Sequence, residues 1–290
     1  MTPRRIVAEA FIAACRDELE APKPGNVHVF APGHRMTAAQ FIKSATAAAD
    51  PLCARSTRVG ARIRGAVDAT LRTVGANTNL GIVLLCAPLA AAAELEALEL
   101  RNALVRVLDD LDVGDAEHAF AAIVQASPAG LGRAERHDVF APAQVTLKQA
   151  MAEAGDRDRV ARQYATAFAD IFDLGMTRHA VATTRWSDPK WVVLAVYLGF
   201  LSEFPDSHVV RKHGAAVASD VRLTAIKFDA VLWSTQEPAN LLGELLAWDA
   251  TLKARGINPG TSADLTVATL FGRRLQSVLQ SVLPSGRNNG

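Results

Sequence analysis

Apolar residues recur along the chain at helical spacing. Val160, Tyr164, Phe168, Ile171 and Phe172 trace the stripe of one buried helix face. Val267, Phe271, Leu275, Val278 and Val282 do the same near the C-terminus. Helix-start signals agree. Thr2-Pro3 and Asp188-Pro189 each place a capping side chain before a proline suited to the first turn. Thr37 and Gln40 form a capping box, with Met36 positioned to staple onto Phe41. Residues 191–201 are apolar all round and rich in valine, which a strand would also suit. Their length beyond ten residues and the Asp188 cap predict a central buried helix. No run of alternating strands, internal repeat or low-complexity linker appears. The pattern predicts an all-α fold, one multi-helix domain spanning residues 1–290.

Three connections interrupt the helices. Residues 21–36 carry Pro22, Pro24, Gly25, Pro32 and Gly33, residues 127–142 carry Pro128, Gly130 and Gly132, and residues 256–261 hold Asn258-Pro259-Gly260. Loops longer than ~12 residues are uncommon in compact domains unless they are functional or disordered. Stiff prolines and specific polar groups predict order, and in a helical protein such loops are where a site is built.

Composition narrows the classes. With 50% hydrophobic and 21% charged residues the chain is globular, and its net charge of +1 gives no footprint for nucleic-acid or membrane-surface binding. Phosphate ligands need only a few local cations and stay open. Cys15, Cys53 and Cys86 are odd in number and lack a Cys-x-x-Cys pair, which predicts buried thiols in a reducing compartment. The N-terminus shows no signal peptide, and the longest apolar stretch is interrupted by Pro88 and falls short of the ~20 residues a bilayer requires. A cytoplasmic protein is expected. Nothing in the sequence sets its oligomeric state, and a homodimer is left open.

Several polar constellations could carry chemistry. In Pro22-Lys23-Pro24-Gly25-Asn26-Val27-His28, two prolines would hold Lys23 extended and Gly25 would let backbone approach a phosphate. An interhelix turn with an exposed lysine explains the same residues. Gly75-Ala76-Asn77-Thr78-Asn79-Leu80-Gly81 runs into an apolar helix whose first amides would suit an anion. Capping accounts for one of Asn77, Thr78 and Asn79, leaving a surplus. In Asn258-Pro259-Gly260-Thr261-Ser262-Ala263-Asp264, a capping box from Thr261 to Asp264 is a complete structural explanation. The functional one makes Asp264 a magnesium ligand or general base. Asp206-Ser207-His208, followed by Arg211-Lys212-His213, crowds one acid with four cation-forming side chains, or is a solvated turn. Asp138, beside His137, could touch magnesium or ribose. Arg55, Arg58 and Arg62 share a spacing that could grip phosphate, although such stripes are more often surface. Asp109, Asp110, Asp112 and Asp115 fail the EF-hand pattern, because Gly114 takes a ligand position. P-loop, Rossmann and nucleophile-elbow motifs are absent from the sequence.

Taken in order, Pro22-Lys23-Pro24-Gly25, His34-Arg35-Met36, residues 75–81, Asp206-Ser207-His208 with Arg211 to Gly214, and Pro259 to Leu265 resemble the successive signatures of the triphosphoribosyl-dephospho-CoA synthase family. They span nearly the whole chain. The resemblance implies an all-helical enzyme that uses ATP and magnesium to attach a triphosphoribosyl unit to the ribose 2′-hydroxyl of dephospho-CoA, releasing adenine. It places Lys23, Asn77, Asp206 and Asp264 at motif positions that line the site. The expected phosphate and substrate contacts are Lys23, Gly25, Asn26, His34, Asn77, Thr78, Asn79, Arg211, Lys212, Thr261 and Ser262. Asp206 and Asp264 are expected to be catalytic, and with Asp138 to be the candidate magnesium ligands. His28, His34 or His213 could protonate adenine.

The chain departs from the typical motifs. Asn79 and Leu80 stand where typical members carry His-Lys, Asp206-Ser207-His208 replaces Asp-Thr-Asn, and Lys212-His213-Gly214 replaces Arg-Gly-Gly. These changes describe a divergent branch and leave the acceptor open, including another coenzyme alcohol such as a phosphoribosyl-bearing C1 carrier. A magnesium-dependent hydrolase of N-glycosides or ADP-ribose would release ribose phosphates with no acceptor. A non-catalytic helical binding protein would show no nucleotide-dependent thermal shift.

Overall fold

In the computed structural model the described residues are 4–31, 36–95, 99–128 and 131–282. Among them the chain forms fourteen α-helices and no strand, and a β-bridge joins His28 to Ala31 within a loop. The helices are α1 (Arg4–Glu20), α2 (Ala38–Leu52), α3 (Val59–Val74), α4 (Leu80–Ala93), α5 (Leu100–Asp109), α6 (Val113–Ala126) and α7 (Leu147–Ala154). There follow α8 (Arg159–Ala165), α9 (Met176–Arg185), α10 (Pro189–Glu203), α11 (Ser207–His213), α12 (Ala215–Ser234), α13 (Leu242–Ala254) and α14 (Gly260–Val282).

Two helices without amphipathicity form the centre. In α4, 12 of 14 residues are buried, and in α10, 11 of 15, so neither can face solvent on any side. The long α14 packs against both and against α1. One core gathers α1 to α8 around α4 and α14, with Phe11 and Phe271 meeting edge to face. A second fills the space among α9 to α13. The helix α10 belongs to both, giving Val193, Val196 and Phe200 to the first and Leu194, Tyr197 and Leu198 to the second.

The predicted caps form at Thr37, where Gln40 N–H donates to Oγ1 and Thr37 N–H to the Gln40 side chain, and at Asp188, followed by Pro189 in the first turn. Thr2-Pro3 lies outside the described residues. One expected helix is broken. Val160, Tyr164, Phe168 and Ile171 are all buried as their spacing requires. However, α8 stops at Ala165, Ala167 and Phe168 take left-handed backbone at φ 48° and 58°, and residues 170–175 continue as a π-helical turn. Asp170, which receives Arg159 through two hydrogen bonds of 2.7 and 2.8 Å, anchors the start of that turn back to α8.

Two suspicious charge patterns absorb each other. Arg58 caps nothing with its side chain but reaches Asp115, Asp112 and Asp110, while Asp112 and Asp115 form a capping box that starts α6. Arg62 is fully buried, donating to Glu94 and to the carbonyls of Leu52 and Thr57. These arginines hold α2, α3 and α6 together, and neither lines the cavity described below. The three cysteines are buried free thiols, and burial pushes the Cys53 thiol up to about 12. None of the described helices is long and apolar enough to cross a membrane.

Candidate active site

The starts of α4, α11 and α14 meet at one cavity of about 850 Å³, lined also by described residues between Ser127 and Val139 and by α7 and α8. Long-range hydrogen bonds explain the convergence. Asp206 caps α11 through Val209 N–H at 3.1 Å and receives both the amide and hydroxyl of Ser262 at 2.8 Å, so one carboxylate holds two helix starts. Beside it Ser207 Oγ meets Thr261 Oγ1 at 3.0 Å, and His208 N–H donates to Thr261 Oγ1. The fourth and fifth sequence signatures are therefore one interlocked unit.

This arrangement overturns the expected Thr261–Asp264 capping box. The helix α14 already begins at Gly260, Thr261 serves α11, and the donor that Asp264 would have met is not its partner. Asp264 makes no hydrogen bond or ion pair among the described residues, and its carboxylate lies on the cavity wall against Gly81. A Cβ at Gly81 would stand 2.0 Å from Asp264 Oδ2, so the contact depends on glycine. Burial, then the charges of Asp206, Glu18 and Asp158, push the Asp264 carboxyl well above its ordinary range.

The 75–81 turn supplies the facing wall. Asn79 holds the N-cap position without a side-chain cap bond, Asn77 Oδ1 accepts Leu80 N–H at 3.2 Å, and Thr78 donates to Ser44 Oγ at 2.7 Å. Asn79 is 95% buried at the cavity wall, and its Nδ2 has no partner among the described residues. The amides of Gly81 and Ile82 likewise find no acceptor there, as expected at a helix start. Arg211 and Lys212 come from α11, Arg211 also pairing with Asp158 at 3.0 Å.

The first loop is placed differently. Lys23 does not reach the cavity: it is fully buried, 2.9 Å from Glu18 Oε1, and donates to its own loop at Val27 O, 2.6 Å away. Burial draws the Lys23 pKa down and pushes Glu18 up, opposing the charge separation that their contact favours. Gly25, at φ 80°, packs under Pro259, which a Cβ would meet at 2.8 Å, so what approaches it closely is protein. Its amide donates to Asp249, and the Tyr197 hydroxyl donates to Pro24 O. Among residues 22–28 only Asn26 and Val27 reach the cavity wall, and Asn26 Nδ2 bonds Asn258 Oδ1 at 2.8 Å.

Of the residues expected at the site, Asn26, Asn77, Thr78, Asn79, Asp138, Arg211, Lys212, Thr261 and Asp264 share the cavity wall. Lys23, Gly25, Asp206 and Ser262 stand behind it and shape it. His34 lies outside the described residues. Asp138 accepts the amides of Ala134 and Phe140, which hold its carboxyl below the usual range. The candidate histidines change. His28 is buried against Asp249, and His213 faces Gly256 O at 3.0 Å. Among the described histidines, His208 and His137 are on the wall. Sequence spacing also missed Arg133, Arg136, Arg157 and Asp158, which bring the wall to five cationic and three acidic side chains among the described residues.

A helical cavity with cations, helix-start amides and one uncompensated carboxylate suits a polyphosphate and a proton transfer. The sequence profile of the CitG family, ATP:dephospho-CoA triphosphoribosyl transferase, matches residues 4–282. The chain belongs to this family. It is a triphosphoribosyl transferase, and the family's substrates are ATP and dephospho-CoA. A crystal structure from Archaeoglobus fulgidus, titled as a putative triphosphoribosyl-dephospho-CoA synthase, shares the fold at a TM-score of 0.62. It is 24% identical, covering 79% of this chain and 95% of its own. No protein in the curated set matches the chain.

Proposed function

We propose that ATP binds with its triphosphate at the polar end of the cavity and that Asp264 serves the transfer step. The observation that carries this is the Asp264 carboxylate, set on the wall with no hydrogen bond or ion pair among the described residues while Asp206 and Asp158 beside it are engaged. The triphosphate would lie against Arg211, Lys212, Asn79 Nδ2 and the free amides of α4. Arg133, Arg136 and Arg157 on the same cavity wall add positive charge, which the 75–81 turn, having no basic residue of its own, does not supply.

The reaction breaks the ribose C1′–adenine bond and forms a bond from C1′ to the acceptor oxygen. The hydroxyl proton passes to an Asp264 oxygen, whose raised proton affinity suits a base. Positive charge building on the ribose is stabilised by the same carboxylate. The departing adenine takes a proton from His208, whose ring packs against Gly260 on the Asp264 side of the cavity. Asp206 positions α11 and α14 and takes no proton, because both of its oxygens are engaged and none of it is exposed.

Magnesium fits this wall in one way. No cluster of three metal-ligating side chains exists among the described residues, but magnesium is commonly held by one or two carboxylates together with substrate phosphates. Asp138, on the same wall and kept ionised by its backbone donors, would be the protein carboxylate, leaving Asp264 for the proton, and the ion would neutralise triphosphate charge. The acceptor is proposed to be the 2′-hydroxyl of dephospho-CoA, with the apolar wall of Phe41, Leu84, Phe120, Ile123 and Met151 taking its uncharged portion. Three buried free thiols fit a reducing compartment, and we place the enzyme in the cytoplasm.

Incubation with ATP, magnesium and dephospho-CoA tests this. Free adenine and a product heavier by one triphosphoribosyl unit are expected together, and only with dephospho-CoA present. Adenine released without any acceptor would make the chain a hydrolase. Adenine released only with a different alcohol would replace the acceptor.

A further inference from the structure

The outer face of α12 carries a pattern that the transfer reaction does not use. Ala218, Val221, Ala225 and Leu232 are buried and set α12 against its own protein. On the other side Ala216, Ser219, Leu223, Ile226 and Ala230 follow one another at intervals of three, four, three and four residues. All five are exposed, Leu223 to 55% and Ile226 to 40%. Four of them are apolar and the fifth, Ser219, is small. Such spacing is the a/d seam of a two-helix coiled coil. Val231 on α12 is 46% exposed. Val181 on α9 is 51% exposed, and α9 is tied to α12 by Arg178–Asp229 and by Arg185 donating to Thr235 O.

Charges beside the seam say what covers it. Asp220 and Lys227 occupy the two e positions, seven residues apart, and both are exposed. Neither side chain has a hydrogen bond or ion pair among the described residues. An antiparallel pair of identical helices brings e positions together across its two-fold axis. With that axis between Leu223 and Ile226, Leu223 of one copy meets Ile226 of the other, and Ser219 meets Ala230. In the same register Asp220 of each copy faces Lys227 of the other, giving two opposite-charge pairs. The small Ser219 and Ala230 side chains let the helices approach closely at both ends of the contact. A serine hydroxyl covered there can bond a carbonyl of its own preceding turn, so it needs no partner across the seam. The face is thus complementary to itself in shape and in charge, as a closed two-fold interface requires.

We propose that the enzyme is a homodimer joined by antiparallel pairing of α12 through Ser219, Leu223, Ile226 and Ala230, with its register set by Asp220 and Lys227. Sedimentation of the full-length chain across a range of concentrations tests it. The expected species has twice the 30.9 kDa of one chain. Asp220→Lys alone or Lys227→Asp alone makes both pairs like-charged and should each raise the dissociation constant about tenfold or more. The two together should restore wild-type association. Leu223→Glu with Ile226→Glu should give a monomer of unchanged helix content. Ser219→Cys with Ala230→Cys should cross-link two copies on oxidation. A wild-type monomer at every concentration, a dimer indifferent to the single charge reversals, or an assembly growing past two copies would overturn the proposal.

Discussion

Residues 22–28 and residues 75–81 are both short polar connections beside the same cavity, yet their polar groups have opposite fates. In the first, Lys23 is closed on Glu18 and Val27, Gly25 donates to Asp249, and His28 is held at the same carboxylate. Burial would raise Asp249, but His28, Lys253 and the Gly25 amide hold its pKa below the usual carboxylate range. In the second, Asn79 Nδ2 and the amides of Gly81 and Ile82 have no partner among the described residues, and the Asp264 carboxylate lies against Gly81. A buried polar group left unpaired costs about 1–3 kcal/mol, so the second region is destabilised as it stands, while the first stabilises the wall behind it. The two aspartates of the later motifs repeat this contrast. Asp206 is enclosed by donors, and Asp264 faces the space a ligand would fill.

The largest stability effect should come from the first region. Lys23→Met leaves Glu18 buried without its partner and should cost about 3–5 kcal/mol in denaturant melts. Adding Glu18→Gln should recover most of that loss. A lysine that acts chiefly on substrate would instead leave stability unchanged and lower turnover. Next, Asp206→Ala removes the cap of α11 and frees the Ser262 amide, and should cost about 2–3 kcal/mol by the same measurement. A variant of wild-type stability would return Asp206 to the candidates for chemistry.

Asp264 should behave in the reverse sense. Its folded pKa lies above the ordinary value of 3.8, so the native state binds the proton more tightly than the unfolded chain. The stability this contributes is complete below the unfolded pKa and is lost as pH rises through the folded one. Asp264→Asn should therefore flatten that fall and melt no lower than wild type at neutral pH. A variant that keeps the full pH dependence would assign it to another group. The smallest effect is expected at Asn79. Asn79→Ala should shift stability by less than about 1 kcal/mol while raising the KM for ATP about tenfold, roughly one hydrogen bond to a charged group. An unchanged KM would remove Asn79 Nδ2 from the phosphate contacts.

Much of the fold is written locally. The apolar stripes, the Thr37–Gln40 box, the Asp188-Pro189 start and the all-round apolarity of α10 each depend on neighbours within a few residues. What escaped them is set over long distances. The break after Ala165 follows from no glycine or proline, since Ala167 and Phe168 adopt left-handed backbone while the stripe stays in step. Asp264 is released from capping because Asp206, 56 residues from Ser262, already holds the start of α14. The arginine stripe and the aspartate run are each ambiguous alone, and Arg58 pairs one with the other. Motif positions marked where the site lies. Which of those polar groups stay open to a ligand depends on partners that no local spacing reveals.

The most direct test compares adenine release by Asp264→Asn and Asp206→Asn, each normalised to folded protein, with ATP, magnesium and dephospho-CoA. Asp264→Asn should be slower than wild type by about a thousandfold, within the range that general-base removal produces. Asp206→Asn should lose activity only in proportion to the folded fraction it loses. Near-normal turnover in the Asp264 variant, or equal losses in the two, would contradict the account.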